Sequence, residues 1–205
     1  MIGVIDYGRG NLFSLGQALR SLARDFTVTQ DAEALGSFET LILPGVGAFG
    51  DAMTELRARG LDEALALAAA RGQRILGICL GMQLLATRSE EFGDHAGLDL
   101  VPGNVRRLPD PAPDDDDAVR IPNIGWRRVT TADGRGPSLA DGNYFYFVHS
   151  FGFTCNTEMD LAASITVNGR EIAAIVGRDN VWGCQFHPEK SAATGLRLLD
   201  QLTGE

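Results

Sequence analysis

The run Leu76-Gly77-Ile78-Cys79-Leu80-Gly81-Met82-Gln83-Leu84-Leu85 constrains this chain more than any other segment. An apolar strand turns at a Gly-x-Cys-x-Gly step into a helical pattern, which is a nucleophile elbow with cysteine in the serine position. Such a turn lifts its central side chain clear of the sheet and aims it at the backbone N–H groups that open the next helix. Gly77 and Gly81 suit the geometry, because side chains there would crowd the turn. The positive end of the helix also favours a thiolate over a thiol. A lone cysteine is more often a buried core residue. Flanking glycines on a strand-turn-helix pattern make Cys79 a nucleophile instead.

A nucleophile of this kind needs a base, and the chain has only three histidines. His187 ends the alternation Val181-Trp182-Gly183-Cys184-Gln185-Phe186-His187, followed by Pro188-Glu189-Lys190-Ser191. Gly183, Gln185 and His187 share one face of a strand, and Trp182, Cys184 and Phe186 share the other. If the extended geometry persists, Glu189 points the same way as His187 and orients the imidazole. Cys79, His187 and Glu189 then form a triad of nucleophile, base and tautomer-fixing carboxylate.

The third part of such machinery is an oxyanion hole. After Leu41-Ile42-Leu43 comes Pro44-Gly45-Val46-Gly47-Ala48-Phe49-Gly50, with Asp51 as the expected helix N-cap. One donor is expected from this loop, at Val46 or Gly47, and a second from the Leu80 N–H just after the nucleophile. The same loop spells the Gly-x-Gly-x-x-Gly dinucleotide fingerprint, which also wants an acidic residue about twenty positions on, at a strand end. The candidates Asp62 and Glu63 fall at the start of a helical pattern, and Gly8-x-Gly10 lacks the third glycine. The fingerprint is therefore set aside, and no cofactor or metal is expected.

Along the chain, strands are expected over residues 1–6, 26–29, 40–43 and 74–79. Between them lie a helix capped by Asn11, with Leu12, Leu15, Leu19 and Leu22 at helical spacing, and a helix over residues 61–71. This βαβ series predicts an α/β fold: one domain over residues 1–205 with an open, mostly parallel sheet flanked by helices. Extra strands follow in the second half, at residues 101–108, 126–130, 144–150, 162–167, 173–176 and 181–186, before a closing helix over 191–199.

At 205 residues and 44% hydrophobic, the chain can bury one sizeable core. A formal net charge of −9 argues against nucleic acid or an anionic membrane as partner. Asp110 and Asp114 to Asp117 concentrate part of that charge in residues 109–117, which read as a solvated insertion. Three cysteines, with neither a signal peptide nor a Cys-x-x-Cys pair, fit a reducing, cytoplasmic compartment and argue against disulfides or zinc. Cys184 is expected in the core, Cys155 on the face of Phe151 and Phe153, and His95 in solvent.

Together these pieces resemble the class I (triad) glutamine amidotransferases nearly end to end. The resemblance rests on Asp6-Tyr7-Gly8-Arg9-Gly10-Asn11, Pro44-Gly45-Val46-Gly47, the Cys79 elbow, Gly125-Trp126, Tyr146-Phe147-Val148-His149-Ser150 and Gln185-Phe186-His187-Pro188-Glu189-Lys190-Ser191. The first, fourth and fifth segments are similar to the glutaminase subunits of imidazole glycerol phosphate synthase in histidine biosynthesis. The resemblance implies that Cys79 attacks the side-chain amide of glutamine, leaving a thioester that water cleaves to glutamate. It implies that Gly45, Gln83, Glu91, His149 and Ser150 border the bound glutamine. It also implies that ammonia passes to a (β/α)₈-barrel cyclase partner, faced by Asn11, Trp126, Tyr146 and Lys190.

On residue pattern alone, Gln83 and Glu91 read as a solvated helix face, Tyr146 as core, and His149 as a hydrogen-bonded structural histidine. The chain departs from the family pattern at Asn123, where histidine is usual, at Arg127, where asparagine is usual, and at Phe151, where tyrosine is common. Two enzyme alternatives follow: a paralogous subunit feeding another synthase, such as one in surface-sugar biosynthesis, and a cysteine hydrolase of other γ-glutamyl or peptide substrates. A non-catalytic binding module is the structural alternative, although such a module has no need of the three triad residues together.

Overall fold

Short apolar runs separated by amphipathic helices set the architecture of the first half. A computed structural model describes residues 1–112, 118–132 and 134–204, so residues 113–117 of the acidic stretch lie outside the described residues. In chain order the first strands are β1 (Ile2–Ile5), β2 (Phe26–Thr29), β3 (Thr40–Gly45), β4 (Arg74–Cys79), β5 (Arg88–Ser89), β6 (His95–Ala96) and β7 (Gly103–Arg107). They are followed by β8 (Asn123–Arg128), β9 (Thr130–Thr131), β10 (Tyr144–His149), β11 (Phe151–Cys155), β12 (Leu161–Val167), β13 (Arg170–Arg178) and β14 (Val181–Cys184). The helices are α1 (Leu12–Ser21), α2 (Phe49–Ala58), α3 (Leu61–Ala70), α4 (Leu80–Leu84) and α5 (Ala192–Thr203).

The main sheet has the order β2-β1-β3-β4-β14-β13-β12-β9. It is parallel from β2 through β14 and antiparallel beyond. Helices cover both faces, as crossovers of one hand require. Leu15 and Leu19 of α1 and Leu198 and Leu199 of α5 pack with Ile42, Leu76 and Ile78 on one face. Phe49, Met53, Leu61 and Leu65 of α2 and α3 pack with Leu41, Leu43 and Ile75 on the other. Each fully buried side chain of this kind contributes about 1.5–3 kcal/mol.

Strand ends differ modestly from the sequence expectation, and one difference has a clear cause. β13 spans Arg170–Arg178, well beyond 173–176, because Asn168 (φ +47°) and Gly169 (φ +73°) form a two-residue hairpin that pairs Val167 with Arg170. An Asn-Gly step is a strong hairpin signal.

Two smaller sheets frame the site. One has the order β11-β7-β5-β6. The other is a ribbon of β8 and β10, in which Asn123 faces His149 and Trp126 faces Tyr146. Phe145 and Phe147 of the ribbon are buried against Phe186, the Phe145 and Phe186 rings stacking at 4.3 Å. Ile124, Trp126, Tyr144 and Val148 point outward. Backbone bonds from His187 N–H to Tyr146 O (3.0 Å) and from Tyr146 N–H to Ser191 Oγ (2.9 Å) fasten the ribbon to the segment after β14.

Candidate active site

Cys79 stands at the junction of β4 and α4 with φ +56° and ψ −112°. That backbone is unusual for a residue with a side chain and costs on the order of 1–3 kcal/mol. β3 and β14 clamp β4 from both sides and hold the turn in place. A Cβ on Gly81 would lie 1.7 Å from Leu43 O, and one on Gly77 would lie 2.6 Å from Gly81 O, so both glycines are required by close backbone approach. The Cys79 side chain, 8% exposed, opens on a cleft of about 310 Å³.

His187 and Glu189 meet Cys79 because β14 runs parallel beside β4, so both strands end at the same edge of the sheet. His187 Nδ1 donates to Glu189 Oε1 at 2.8 Å, with both side chains buried. The extended geometry expected after His187 is absent: Pro188–Lys190 form a 3₁₀ turn, which delivers the carboxylate to the imidazole by another path. Burial opposes a charged imidazole, but hydrogen bonds and charge from Cys79 and Glu189 outweigh it and lift the His187 pKa to about 10. Near neutral pH His187 is therefore an imidazolium facing the cysteine sulfur. Among the described residues Glu189 Oε2 has no hydrogen-bond partner, and Glu189 borders a small cavity shared with Asn11, Gly45 and Val46.

The glycine loop is in a different condition. Val46 N–H donates to Arg9 O at 3.1 Å, so in this conformation it does not face the thiol as an oxyanion donor. The carbonyl at the β1–α1 turn competes for it, and an ion pair between Arg9 and Asp51 (3.3 Å) ties the same two segments together. Gly47 (φ +99°) and Leu80 both line the cleft. Asp51 is not the cap of α2. The helix starts at Phe49 after Ala48, and Glu91 Oε2 instead accepts the Phe49 N–H at 2.7 Å.

Among the expected glutamine-side residues, Gln83, Glu91, His149 and Ser150 line the cleft. Gly45 sits one step behind, at the small cavity. Glu91 is half-buried, and burial raises its pKa despite the bond from Phe49. Gln83 is no solvated helix residue: it is 5% exposed, and its amide donates to Phe151 O and to Gln185 Oε1, each at 2.9 Å. His149 is buried and bonded through both ring nitrogens, to Phe151 O (2.8 Å) and to Asn123 Nδ2 (2.9 Å). Burial, aided by the Arg127 charge and opposed by the Phe151 bond, lowers the His149 pKa to about 4. His95, expected in solvent, packs its ring over Gly50, where a Cβ would meet it at 2.6 Å.

Two neighbours of the thiol went unread in the sequence. Gln185 Nε2 approaches Cys79 Sγ at 3.9 Å, and the alternation that puts Gln185 on the same side as His187, just beyond β14, is the available signal. Tyr7 is fully buried, with no hydrogen-bond partner for its hydroxyl among the described residues; burial and the Cys79 charge raise its pKa, and Arg9 opposes them. Of the expected partner-facing residues, Trp126 is 48% exposed and packs edge-on to Tyr146 at 6.2 Å. Lys190 is exposed beside the triad. Asn11 caps α1 by accepting the Ser14 N–H at 3.2 Å.

Comparison with known proteins agrees in sequence and in fold. The family described as Glutamine amidotransferase class-I matches residues 3–201. The imidazole glycerol phosphate synthase subunit HisH of Caldanaerobacter subterraneus subsp. tengcongensis is 44% identical over 201 residues, covering 97% of this chain and 95% of that protein. The HisH subunit of Geobacillus thermodenitrificans is also 44% identical, over 207 residues, covering 100% of this chain and 95% of its own. Among solved structures, a glutamine amidotransferase superposes with a TM-score of 0.75 at 19% identity, covering 100% of this chain and 99% of its own. PurLQS from Thermotoga maritima gives 0.72 at 20% identity, with 98% and 96% covered.

Proposed function

The chain belongs to the class I glutamine amidotransferases, and from that premise we propose that it is the glutaminase subunit of an imidazole glycerol phosphate synthase in histidine biosynthesis. The whole chain serves as one glutaminase domain, in the cytoplasm, with a (β/α)₈-barrel cyclase as its partner. Full-length identity to HisH subunits supports the assignment. Among the described residues no helix is long and apolar enough to cross a membrane.

The observation that carries the chemistry is the imidazole of His187 held between Glu189 and Cys79 at the elbow. The Cys79 thiolate attacks the side-chain carbonyl carbon of glutamine while His187 keeps the thiol proton. As the tetrahedral intermediate collapses, His187 gives that proton to the departing nitrogen, and ammonia leaves with a glutamyl thioester behind. His187, now neutral, takes a proton from water; the hydroxide adds to the thioester, and collapse of that adduct releases glutamate with its carboxyl proton and restores the Cys79 sulfur beside a protonated His187. Glu189 keeps Nδ1 protonated throughout, so Nε2 handles the travelling proton. Leu80 N–H, with Val46 or Gly47 N–H, is the oxyanion donor set. Glu91 suits the cationic α-amino group of glutamine.

With Val46 as the loop donor, the hold of Arg9 O on its N–H leaves the set incomplete, and slow turnover of the isolated subunit is expected. The outward Trp126 and Tyr146, on the ribbon bonded to the His187 backbone, are where a partner would act. The test is glutamate release from glutamine with and without the cyclase subunit and its ribonucleotide ligand, using Cys79→Ala as blank. Strong stimulation that vanishes in the blank is expected. Cys79-dependent turnover indifferent to the cyclase would reassign the partner to another synthase, and no glutamate at all would overturn the glutaminase reading.

A further inference from the structure

Asn123 and Arg127, four residues apart on β8, are each other's partners. Arg127 Nε donates to Asn123 Oδ1 at 2.8 Å. Strand alternation puts both on the inner face of β8, where Asn123 is fully buried opposite His149.

The bonds that follow have a forced direction. The Phe151 carbonyl only accepts, so His149 Nδ1 carries the hydrogen in their 2.8 Å bond. In a neutral imidazole the other nitrogen is then an acceptor, and it takes a hydrogen from Asn123 Nδ2 at 2.9 Å. That orientation turns Asn123 Oδ1 the opposite way, toward a group that must donate. An arginine guanidinium has donors only. If the amide were reversed, its NH₂ would face Arg127 Nε–H and its oxygen would face the His149 lone pair, and both bonds would be lost. The Phe151 carbonyl also accepts from Gln83, whose second amide hydrogen goes to Gln185 Oε1. Both Gln83 hydrogens are thereby used, which leaves its carbonyl oxygen as the group to meet a ligand.

We propose that Arg127 is a positioning residue for the glutamine pocket: by holding the Asn123 amide oxygen, it braces the Asn123–His149 bond behind the cleft wall made by His149, Phe151 and Gln83. The proposal rests on the glutaminase reading. It names a residue that touches no substrate and acts from the ribbon expected to face the partner. The wall contacts glutamine before and during reaction alike, so loss of Arg127 weakens binding far more than it slows the chemical step.

The test uses the full chain and two alkylating agents. A chloroketone analogue of glutamine reports recognition together with thiol reactivity, and iodoacetamide reports the thiol alone. Arg127→Ala is expected to raise the half-saturating analogue concentration roughly tenfold, the scale of one charge-assisted hydrogen bond. The maximal labelling rate should stay within about twofold, and the iodoacetamide rate should not move. Nitrogen chemical shifts should report the Nδ1–H tautomer of His149 in the parent and in Arg127→Ala alike, because the Phe151 carbonyl imposes it.

Asn123→His and Arg127→Asn should each weaken analogue binding, while the double exchange binds closer to the parent than either single, because the pair acts as a unit. The double exchange and Arg127→Lys carry the test if the alanine variant fails to fold. A parent alkylated by iodoacetamide but not by the analogue overturns the glutaminase reading, and this proposal with it. A parent that takes the analogue, with variants that match it or with single effects that merely multiply, overturns this proposal alone.

Discussion

The two sides of the Cys79 thiol differ in readiness. On the β14 side the imidazole is bonded to its carboxylate, buried and charged. On the β3 side the loop that should meet the substrate oxygen has its Val46 N–H bonded to Arg9 O. The difference follows from how each side is built. His187 and Glu189 are two residues apart on one turn, so their meeting needs only local geometry beside a strand paired along its length. The Val46 peptide sits between two candidate environments, and glycines at 45 and 47 leave it free to choose. Activating chemistry can thus be permanent while transition-state stabilisation is conditional.

That contrast can be tested on each side of the thiol in turn. The largest effect is expected from Glu189→Gln, which presents an amide to His187 Nδ1 and favours the wrong tautomer. Partner-stimulated glutamate release should fall by roughly 10³–10⁴, on the scale of the equivalent change in a serine triad. A loss below tenfold would mean the β14 side is not finished by Glu189.

Val46→Pro removes the one N–H that the resting loop holds away from the site. Partner-stimulated turnover should drop roughly 10²–10³-fold, the usual cost of an oxyanion donor, while iodoacetamide alkylation of Cys79 stays at the parent rate. Unchanged stimulated turnover would pass the donor role to Gly47.

Trp126→Ala probes the surface through which a partner would reach the loop. Truncating an exposed aromatic anchor of this kind should weaken cyclase binding about 10–30-fold, read by titration calorimetry, and leave analogue labelling of the free chain unchanged. Equal cyclase affinity would move the interface off the β8–β10 ribbon.

The smallest effect concerns pH. The folded value for His187, about 10, lies above the ordinary 6.5, so the stability gained by holding its proton is complete below about 6.5 and is lost as pH rises through 10. The melting temperature should hold near neutrality and fall by several degrees between about pH 7 and 10. In Glu189→Gln the fall should be smaller and end at lower pH, and an identical profile would remove the dyad as its source.

Much of this site was legible because its grammar is local. The glycines around Cys79 report a backbone approach that excludes a Cβ, and a parallel sheet places strand ends together, so Cys79 and His187 could be paired from sequence. The route from His187 to Glu189 was misread as extended, yet the pairing stood, since a 3₁₀ turn also keeps i and i+2 within reach. Asp51 was misread as a cap because a better acceptor, Glu91, arrives from 42 residues away. β13 outruns its expected span because the Asn168-Gly169 step, itself a hairpin signal, carries the pairing back to Arg170.

The elbow, the βαβ order and the meeting of His187 with Glu189 are readable from the residues alone, because each follows from steric rules that act within a few residues. Only the tertiary structure decided the partner of the Val46 N–H, the inward turn of Gln83 and the bond chain from Arg127 to Phe151 O. Those are choices among several donors and acceptors of similar strength, and a hydrogen bond between distant segments is settled by which groups packing brings within 3 Å of each other.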